Sequence, residues 1–297
     1  MFKIQKFKIE SNLVPSPIKC EALLPEDYEI SKKTYPLLLT LHGGGGHQGF
    51  LKNIVGPVIQ DLWENKLTPE MILITPHCKR CLYMNYRDGS QMWETFIINE
   101  LLPYIRKKYP VIDDPNQTFI GGVSMGGLGA LRMGFKYCDK FGAILAFEPG
   151  IEPALEWKNI KIEDKFYRTQ DFMEKIFGSP IDEDYWKVNN PAFIIKENAI
   201  KIRESGIKIY LEIGTDDMLG LYRGAEFLHR IMFDKNIKHE FRYVYGADHV
   251  GDSFKERIFN GFSFLNRILQ PPKTDPQIVA VRKIFKQMMK EAGIEEK

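Results

Sequence analysis

The pentad Gly122-Val123-Ser124-Met125-Gly126 constrains the fold of this chain more than any other feature. It follows a β-rich run, Gln117 to Gly121, and opens a helix-prone stretch, Leu128 to Lys136. A serine at a strand-to-helix junction, with glycines two before and two after, reads as a nucleophile elbow. The glycines leave room for backbones that side chains would crowd, and the serine hydroxyl projects outward from the turn. Alone, the match is weak, because glycine and serine are common turn residues and an ordinary surface turn explains it as well. Three further signals agree with the elbow.

The first is Leu41-His42-Gly43-Gly44-Gly45-Gly46, directly after the apolar run Pro36 to Thr40. It reads as a buried strand ending in a glycine loop. Acyl transfer through a tetrahedral intermediate needs donors aimed at the developing oxyanion, and glycines let backbone N–H groups approach it closely. Gly43 or Gly44, together with Met125, are the candidate donors. A phosphate cradle fits less well, since the run has no Gly-Lys-Ser/Thr ending and no G-x-G-x-x-G spacing with a following acidic residue. The second signal is Ile207 to Ile213, an apolar strand ending in Gly214-Thr215-Asp216-Asp217; the third is Phe241 to Tyr245, followed by Gly246-Ala247-Asp248-His249. Chain order is therefore Ser, Asp, His, each just after a predicted strand, which is the order of α/β-hydrolases.

Of the six histidines, His229 and His239 lie in or beside a helical stretch and read as structural. His47 and His77 follow strand ends and could line a site, but neither has a place in the triad order. His42 reads as a brace for the glycine loop, which leaves His249 as the base.

Several motifs in order resemble the putative-esterase family of α/β-hydrolases, which includes esterase D-like enzymes, feruloyl esterases and mycolyltransferases. The resemblance runs from about Ile18 to Leu269. It rests on Tyr35-Pro36 leading to Leu41-His42-Gly43, on Trp93-Glu94-Thr95-Phe96 with Glu100-Leu101-Leu102-Pro103-Tyr104-Ile105, on Gly122 to Arg132, and on Gly214 to Asp217 with Gly246 to His249. It implies Ser124 as nucleophile, His249 as base and Asp217 as acid, because the family's Gly-Thr-x-Asp pattern ends there; Asp216 remains a rival. Two departures, Glu148-Pro149-Gly150 where the family commonly has Ser-Gly and Val250 where an aromatic is frequent, bear on the substrate rather than the chemistry.

The chain has 297 residues, 44% of them hydrophobic, enough to bury about 75% of the unfolded surface in one core. A net charge of +2 from 41 basic and 39 acidic residues gives no overall attraction to nucleic acid or membrane. The N-terminal Met1 to Ile9 alternates apolar and charged residues like an exposed strand and lacks a signal peptide's apolar run. With no such signal, Cys20, Cys78, Cys81 and Cys138 are expected to be reduced thiols in a cytoplasm. Cys78-Lys79-Arg80-Cys81 has metal-like spacing but no second pair, so it reads as a loop thiol pair, and no metal or cofactor is expected.

Strands are predicted at 2–9, 18–24, 36–41, 71–76, 117–122, 142–147, 207–213 and 240–245, and helices at 52–65, 92–108, 125–137, 219–236 and 252–269. This alternation predicts an α/β-hydrolase fold: a mostly parallel sheet of about eight strands, helices on both faces, and an antiparallel hairpin at its start. The catalytic domain would span 1–270, with a small helical cap inserted at about 149–206. Tyr86 and Trp93 on the loop after the strand at 71–76, and Trp186 in the cap, are candidate substrate contacts. A C-terminal extension, 271–297, carries a capped helix with Ile278, Val281, Phe285, Met288 and Ala292 on one face. That stripe is expected to dock on the same domain, with a homodimer contact as the alternative.

Together these features predict a serine carboxylesterase acting on a small or aromatic-acid ester through an acyl-enzyme. Rivals are a thioesterase or acyltransferase of the same fold, a peptidase, which would usually carry a large extra domain, and a non-catalytic hydrolase-fold binding protein, which would usually have lost a triad member.

Overall fold

A computed structural model describes residues 1–46 and 49–294. Eight strands, β1 (Phe2–Ile9), β2 (Ile18–Pro25), β3 (Leu37–Leu41), β4 (Ile72–Pro76), β5 (Thr118–Val123), β6 (Ala143–Phe147), β7 (Lys208–Gly214) and β8 (Glu240–Val244), form one sheet in the order β1-β2-β4-β3-β5-β6-β7-β8. β1, β2 and β4 pair antiparallel, and β4, β3 and β5 to β8 run parallel. This is the predicted α/β-hydrolase architecture, with its antiparallel entry hairpin.

The central strands are apolar along their whole length because both of their faces are covered. Every residue of β3, Leu37-Leu38-Leu39-Thr40-Leu41, is buried. Leu37, Leu39 and Leu41 join one core cluster and Leu38 the other, as the two-residue period of a strand requires. The helices Gly56–Glu64 and Phe254–Leu269 close the second face with Ile59, Leu62, Ile258 and Leu265. Helices Leu102–Lys108, Met125–Lys136, Pro191–Ser205 and Tyr222–Asp234 close the first. At the far edge β8 is only half-buried and leaves Tyr243 exposed.

The helix predicted at 52–65 is instead a wide π turn, Phe50–Val55, followed by the α-helix Gly56–Glu64. Pro57 sits in the first turn of that helix, where a residue without an N–H is tolerated and starts a helix rather than continuing one. The insertion after β6 is irregular at first, with short turns at Trp157–Asn159 and Ile162–Asp164. Its last helix, Pro191–Ser205, packs between Met125–Lys136 and Tyr222–Asp234 and joins the main core through Ala192, Ile194, Ile195 and Ile202. Buried polar groups tie the insertion to the body. Arg132, fully buried, pairs with Glu94 and donates to Asn189 Oδ1 (3.1 Å), while Lys136 Nζ reaches the same oxygen at 2.6 Å. Burial alone would push the Glu94 carboxyl up, but Arg132 and Lys136 outweigh it and hold it below its ordinary value.

The C-terminal stripe does not dock on the domain, contrary to expectation. Helix Pro276–Glu291 has its predicted cap, Asp275 Oδ1 accepting from Gln277 N at 2.8 Å, but buries no residue, and Phe285 is 59% exposed. Both faces of the sheet are already closed by other helices, so its stripe has no apolar surface of this chain to cover. Among the described residues no helix is long and apolar enough to cross a membrane. Deleting residues 271–297 should therefore leave the melting temperature within about 2 °C, because burial lost on deletion is what lowers it. A drop of more than about 5 °C by calorimetry would mean the helix is covered in solution.

Candidate active site

Steric crowding at the carboxyl end of β5 shapes the elbow. A Cβ on Gly126 would lie 1.9 Å from the Leu41 carbonyl oxygen, and one on Gly122 would lie 2.5 Å from the Gly126 carbonyl carbon. Neither position admits a side chain. Between them Ser124 takes φ 58°, ψ −116°, a conformation strained for a residue with a Cβ. Its peptide groups are satisfied: Ser124 N donates to Phe147 O at 2.9 Å, and Ser124 O accepts from Leu128 N (3.0 Å) and Gly150 N (3.2 Å). The next residue, Met125, begins helix Met125–Lys136, so its N–H belongs to the open first turn of that helix.

The glycine loop after β3 lies over the serine, since a Cβ on Gly43 would sit 3.5 Å from Ser124 Cβ, an ordinary contact. Buried His42 braces the loop. One ring nitrogen, Nδ1, is 2.8 Å from Gly43 O, the other accepts from Cys78 N at 3.2 Å, and Tyr83 Oη donates to His42 O at 3.1 Å. Cys78 and Cys81 are both buried free thiols. Burial pushes Cys78 up, but hydrogen bonds from Cys81 and from His42 overcome it and bring the thiol down to about 6.

Close approach of two further loops sets the third part of the site. A Cβ on Gly214, at the end of β7, would lie 2.0 Å from Ala247 O, and Asp216 N donates to that same carbonyl at 3.0 Å. The contact brings Asp217 beneath His249. Asp217 Oδ2 is 2.6 Å from His249 Nδ1, and its Oδ1 accepts from Leu219 N (2.8 Å) and Leu221 N (3.2 Å). Asp216 points to solvent instead, its Oδ1 accepting from Thr215 Oγ1 at 2.8 Å. Ser124 and His249 line one cavity of about 510 Å³, together with the glycine loop. The structure thus brings Ser124, His249, Asp217 and Gly43 together at the carboxyl ends of the parallel strands, where sheets of this kind bind their ligands.

The Putative esterase family model matches residues 11–263 of this sequence. The chain belongs to that family. An acetyl esterase of Caldicellulosiruptor saccharolyticus is 25% identical over 282 residues, 89% of this chain and 98% of that protein. An esterase of Mycobacterium tuberculosis is 37% identical over 125 residues; the match takes in 41% of this chain and only 26% of that protein's length. Among solved structures, a ferulic acid esterase shares 25% identity and a TM-score of 0.73 over 90% of this chain and 99% of its own. The S-formylglutathione hydrolase of Staphylococcus aureus, at 18% identity and a TM-score of 0.70 over 89% of this chain and 99% of its own, shares the fold.

The aromatic residues expected to touch substrate are elsewhere in this family member. Tyr86, Trp93 and Trp186 are all buried in the main core and none lines the cavity. Trp93 Nε1 donates to Gln91 Oε1 at 2.8 Å, and Trp186 packs edge-on against Trp157 with centroids 5.7 Å apart. Their ring faces are consumed by packing, which a loop address and an aromatic identity do not reveal. The cavity is walled instead by Phe50 and Ile54, from the π turn after the glycine loop, and by Val250 and Phe254 after the histidine. The sequence signal for these four is their adjacency to the glycine loop and to His249. Of the remaining histidines, His77 Nε2 is 3.7 Å from Glu21, and His229 Nδ1 is 2.8 Å from His239 Nε2. His47 lies outside the described residues.

One oxygen each of Glu148 and Asp217 and a ring nitrogen of His249 lie within 4.8 Å of one another, a spacing that suits a cation. Glu148 pairs there with the Arg257 guanidinium, and Asp217 is bonded to His249 and two backbone N–H groups. The elbow sterics give a direct test. Gly126→Ala should lower the melting temperature by at least about 5 °C, since the methyl collides with backbone that cannot move without parting β3 from β5. An unchanged melting temperature would show that the elbow is looser than the contact with Leu41 implies.

Proposed function

We propose that this chain is a serine carboxylesterase that hydrolyses a small or aromatic-acid ester through an acyl-enzyme intermediate. The observation that carries this reading is the 2.6 Å bond between His249 Nδ1 and Asp217, made beside a cavity that His249 shares with the elbow serine. His249 takes the Ser124 proton through Nε2 while Ser124 Oγ attacks the ester carbonyl. Asp217 holds the imidazole in the required tautomer and stabilises the imidazolium. No hydrogen bond joins Ser124 Oγ to His249 among the described residues, and such bonds often tighten only once substrate is bound.

Backbone N–H groups of Met125 and of Gly43 or Gly44 hold the oxyanion. Support comes from the free first turn at Met125 and from the loop's contact with Ser124. The alcohol then leaves with the His249 proton, and water repeats the sequence on the acyl-enzyme. Phe50, Ile54, Val250 and Phe254 give the cavity an apolar wall suited to an acetyl or arylacyl group. The acetyl esterase and ferulic acid esterase similarities agree with that range. We assign the catalytic unit to residues 1–270, including the insertion at 149–206, and regard 271–297 as an extension. Four buried free thiols suit a reducing cytoplasm.

Turnover of p-nitrophenyl and methyl cinnamate esters tests the proposal. Ser124→Ala and His249→Ala should each lower kcat by about 10⁴–10⁶ with unchanged circular dichroism. Retention of more than about a tenth of the activity in either would sink it. The two adjacent aspartates should separate cleanly. Asp217→Asn is expected to cost about 10⁴ in kcat, the usual effect of leaving the imidazole in the wrong tautomer. Asp216→Asn should keep most activity, and the reverse ranking would move the acid to Asp216.

A further inference from the structure

Glu148 stands at the end of β6 with φ 47°, a left-handed conformation that costs energy in a residue with a side chain. It is fully buried, as is Arg257 on helix Phe254–Leu269. An ion pair in such a place is expensive to desolvate unless its remaining donors and acceptors are used. Here part of that capacity is used on the two catalytic loops. Glu148 Oε1 accepts from Arg257 Nη1 and from Gly214 N (2.9 Å), the residue that begins the Asp217 loop. Arg257 Nη2 donates to the carbonyls of Asp248 (2.9 Å) and His249 (3.3 Å). The other Glu148 oxygen has no hydrogen-bond partner, although a Glu148 oxygen lies within 4.8 Å of both the Asp217 carboxylate and the His249 ring. The second carboxylate beside this guanidinium, Glu212, stands 3.7 Å from Arg257 Nε.

We infer that Glu148 and Arg257 are a positioning pair for the esterase reaction, locking the acid and histidine loops in one geometry and setting the charge felt by the His249 imidazole. The inference rests on the serine-hydrolase reading proposed above. It also accounts for the departure at Glu148-Pro149-Gly150. A carboxylate at that point of the chain can form an ion pair with Arg257 of helix Phe254–Leu269, which a serine cannot. The charged and titratable groups around His249 and its partner Asp217 are Glu148, Arg257 behind the His249 carbonyl with Glu212 beside that guanidinium, Asp248 accepting from the His249 N–H at 2.6 Å, Asp252 and Lys255 at the cavity wall, and Tyr167, whose phenol is raised by burial and then by Asp217. Of these, Glu148 and Arg257 are a buried ion pair that links the two loops, Glu148 through Gly214 N and Arg257 through the carbonyls of Asp248 and His249.

The test is the pH profile of kcat/KM, whose acid limb reports the free enzyme's base. Glu148→Gln keeps the shape and the Gly214 hydrogen bond but removes a negative charge near the imidazole. The imidazolium becomes less favourable, so the acid limb should move down by about one pH unit. Arg257→Met leaves Glu148 uncompensated, and its limb should move up by about as much. Both should lower kcat about tenfold or more with KM within about twofold, because positioning is lost rather than binding. A buried charge left alone can prevent folding. The neutral double variant Glu148→Gln/Arg257→Met covers that case, and should fold with its limb near the wild-type position and kcat still about tenfold down. Acid limbs that stay put in both single variants, or wild-type kcat in the double variant, would overturn the inference. Ser124→Ala runs alongside: if it retains activity, the serine mechanism fails and takes the pair's role with it; if it is inactive while the limbs do not move, only the pair's role fails.

Discussion

Leu41 and Gly126 approach so closely that a single methyl would land 1.9 Å from a carbonyl oxygen, and the geometry of the site follows from that contact. It holds the carboxyl ends of β3 and β5 in register and forces the turn at Ser124. It also lays the glycine loop against the serine that the turn presents. A second contact of the same kind, Gly214 against Ala247 O, sets the acid and histidine loops. Both are steric constraints between backbones, which is why glycine occupies these positions. Rigid scaffolding of this sort is what a preorganised site needs, because donors and bases must sit in place before charge develops.

Charge in the interior is organised around the same loops. Arg132 with Glu94 ties the first turn of the helix after the Cys78 loop to the elbow helix and to the insertion, while Arg168 pairs with Glu152 just after β6. Arg257 with Glu148 links the loop after β7 to the loop that carries His249. Pairs like these add little net stability over well-packed apolar residues, but an unmatched arrangement is costly, so they specify one geometry among the ways the loops could pack. The Gly150 carbonyl also accepts from Arg168 Nη2 at 2.5 Å, so the segment directly after β6 is held from both sides.

The architecture was readable from sequence because it rests on local patterns. Continuous apolar runs such as 37–41 belong to strands covered on both faces, the alternating 2–9 belongs to an edge hairpin, and both periods are short-range. The elbow, the glycine run and the strand-ending Asp216-Asp217 and His249 were visible for the same reason: each is a residue type at a fixed offset from a strand end. Pro57 also carried a readable signal, since a proline there begins a helix rather than continuing one.

What lay beyond the sequence depends on which surfaces meet. Asp216 and Asp217 are neighbours of identical chemistry, and only the docking of the Gly214 and Ala247 loops turns one toward His249 and the other to solvent. Tyr86, Trp93 and Trp186 have the composition of a binding site, yet packing used their rings in the core and left the cavity to Phe50, Ile54, Val250 and Phe254. The stripe on helix Pro276–Glu291 specifies that a face is apolar, not that a partner surface exists, and the sheet had none left to offer. By itself the sequence determined the succession of strands and helices, the elbow and the residues able to do the chemistry, because those follow from local spacing. Tertiary structure decided which carboxylate meets the imidazole, which aromatics line the cavity and where Arg257 reaches, because each depends on contacts between segments far apart in the chain.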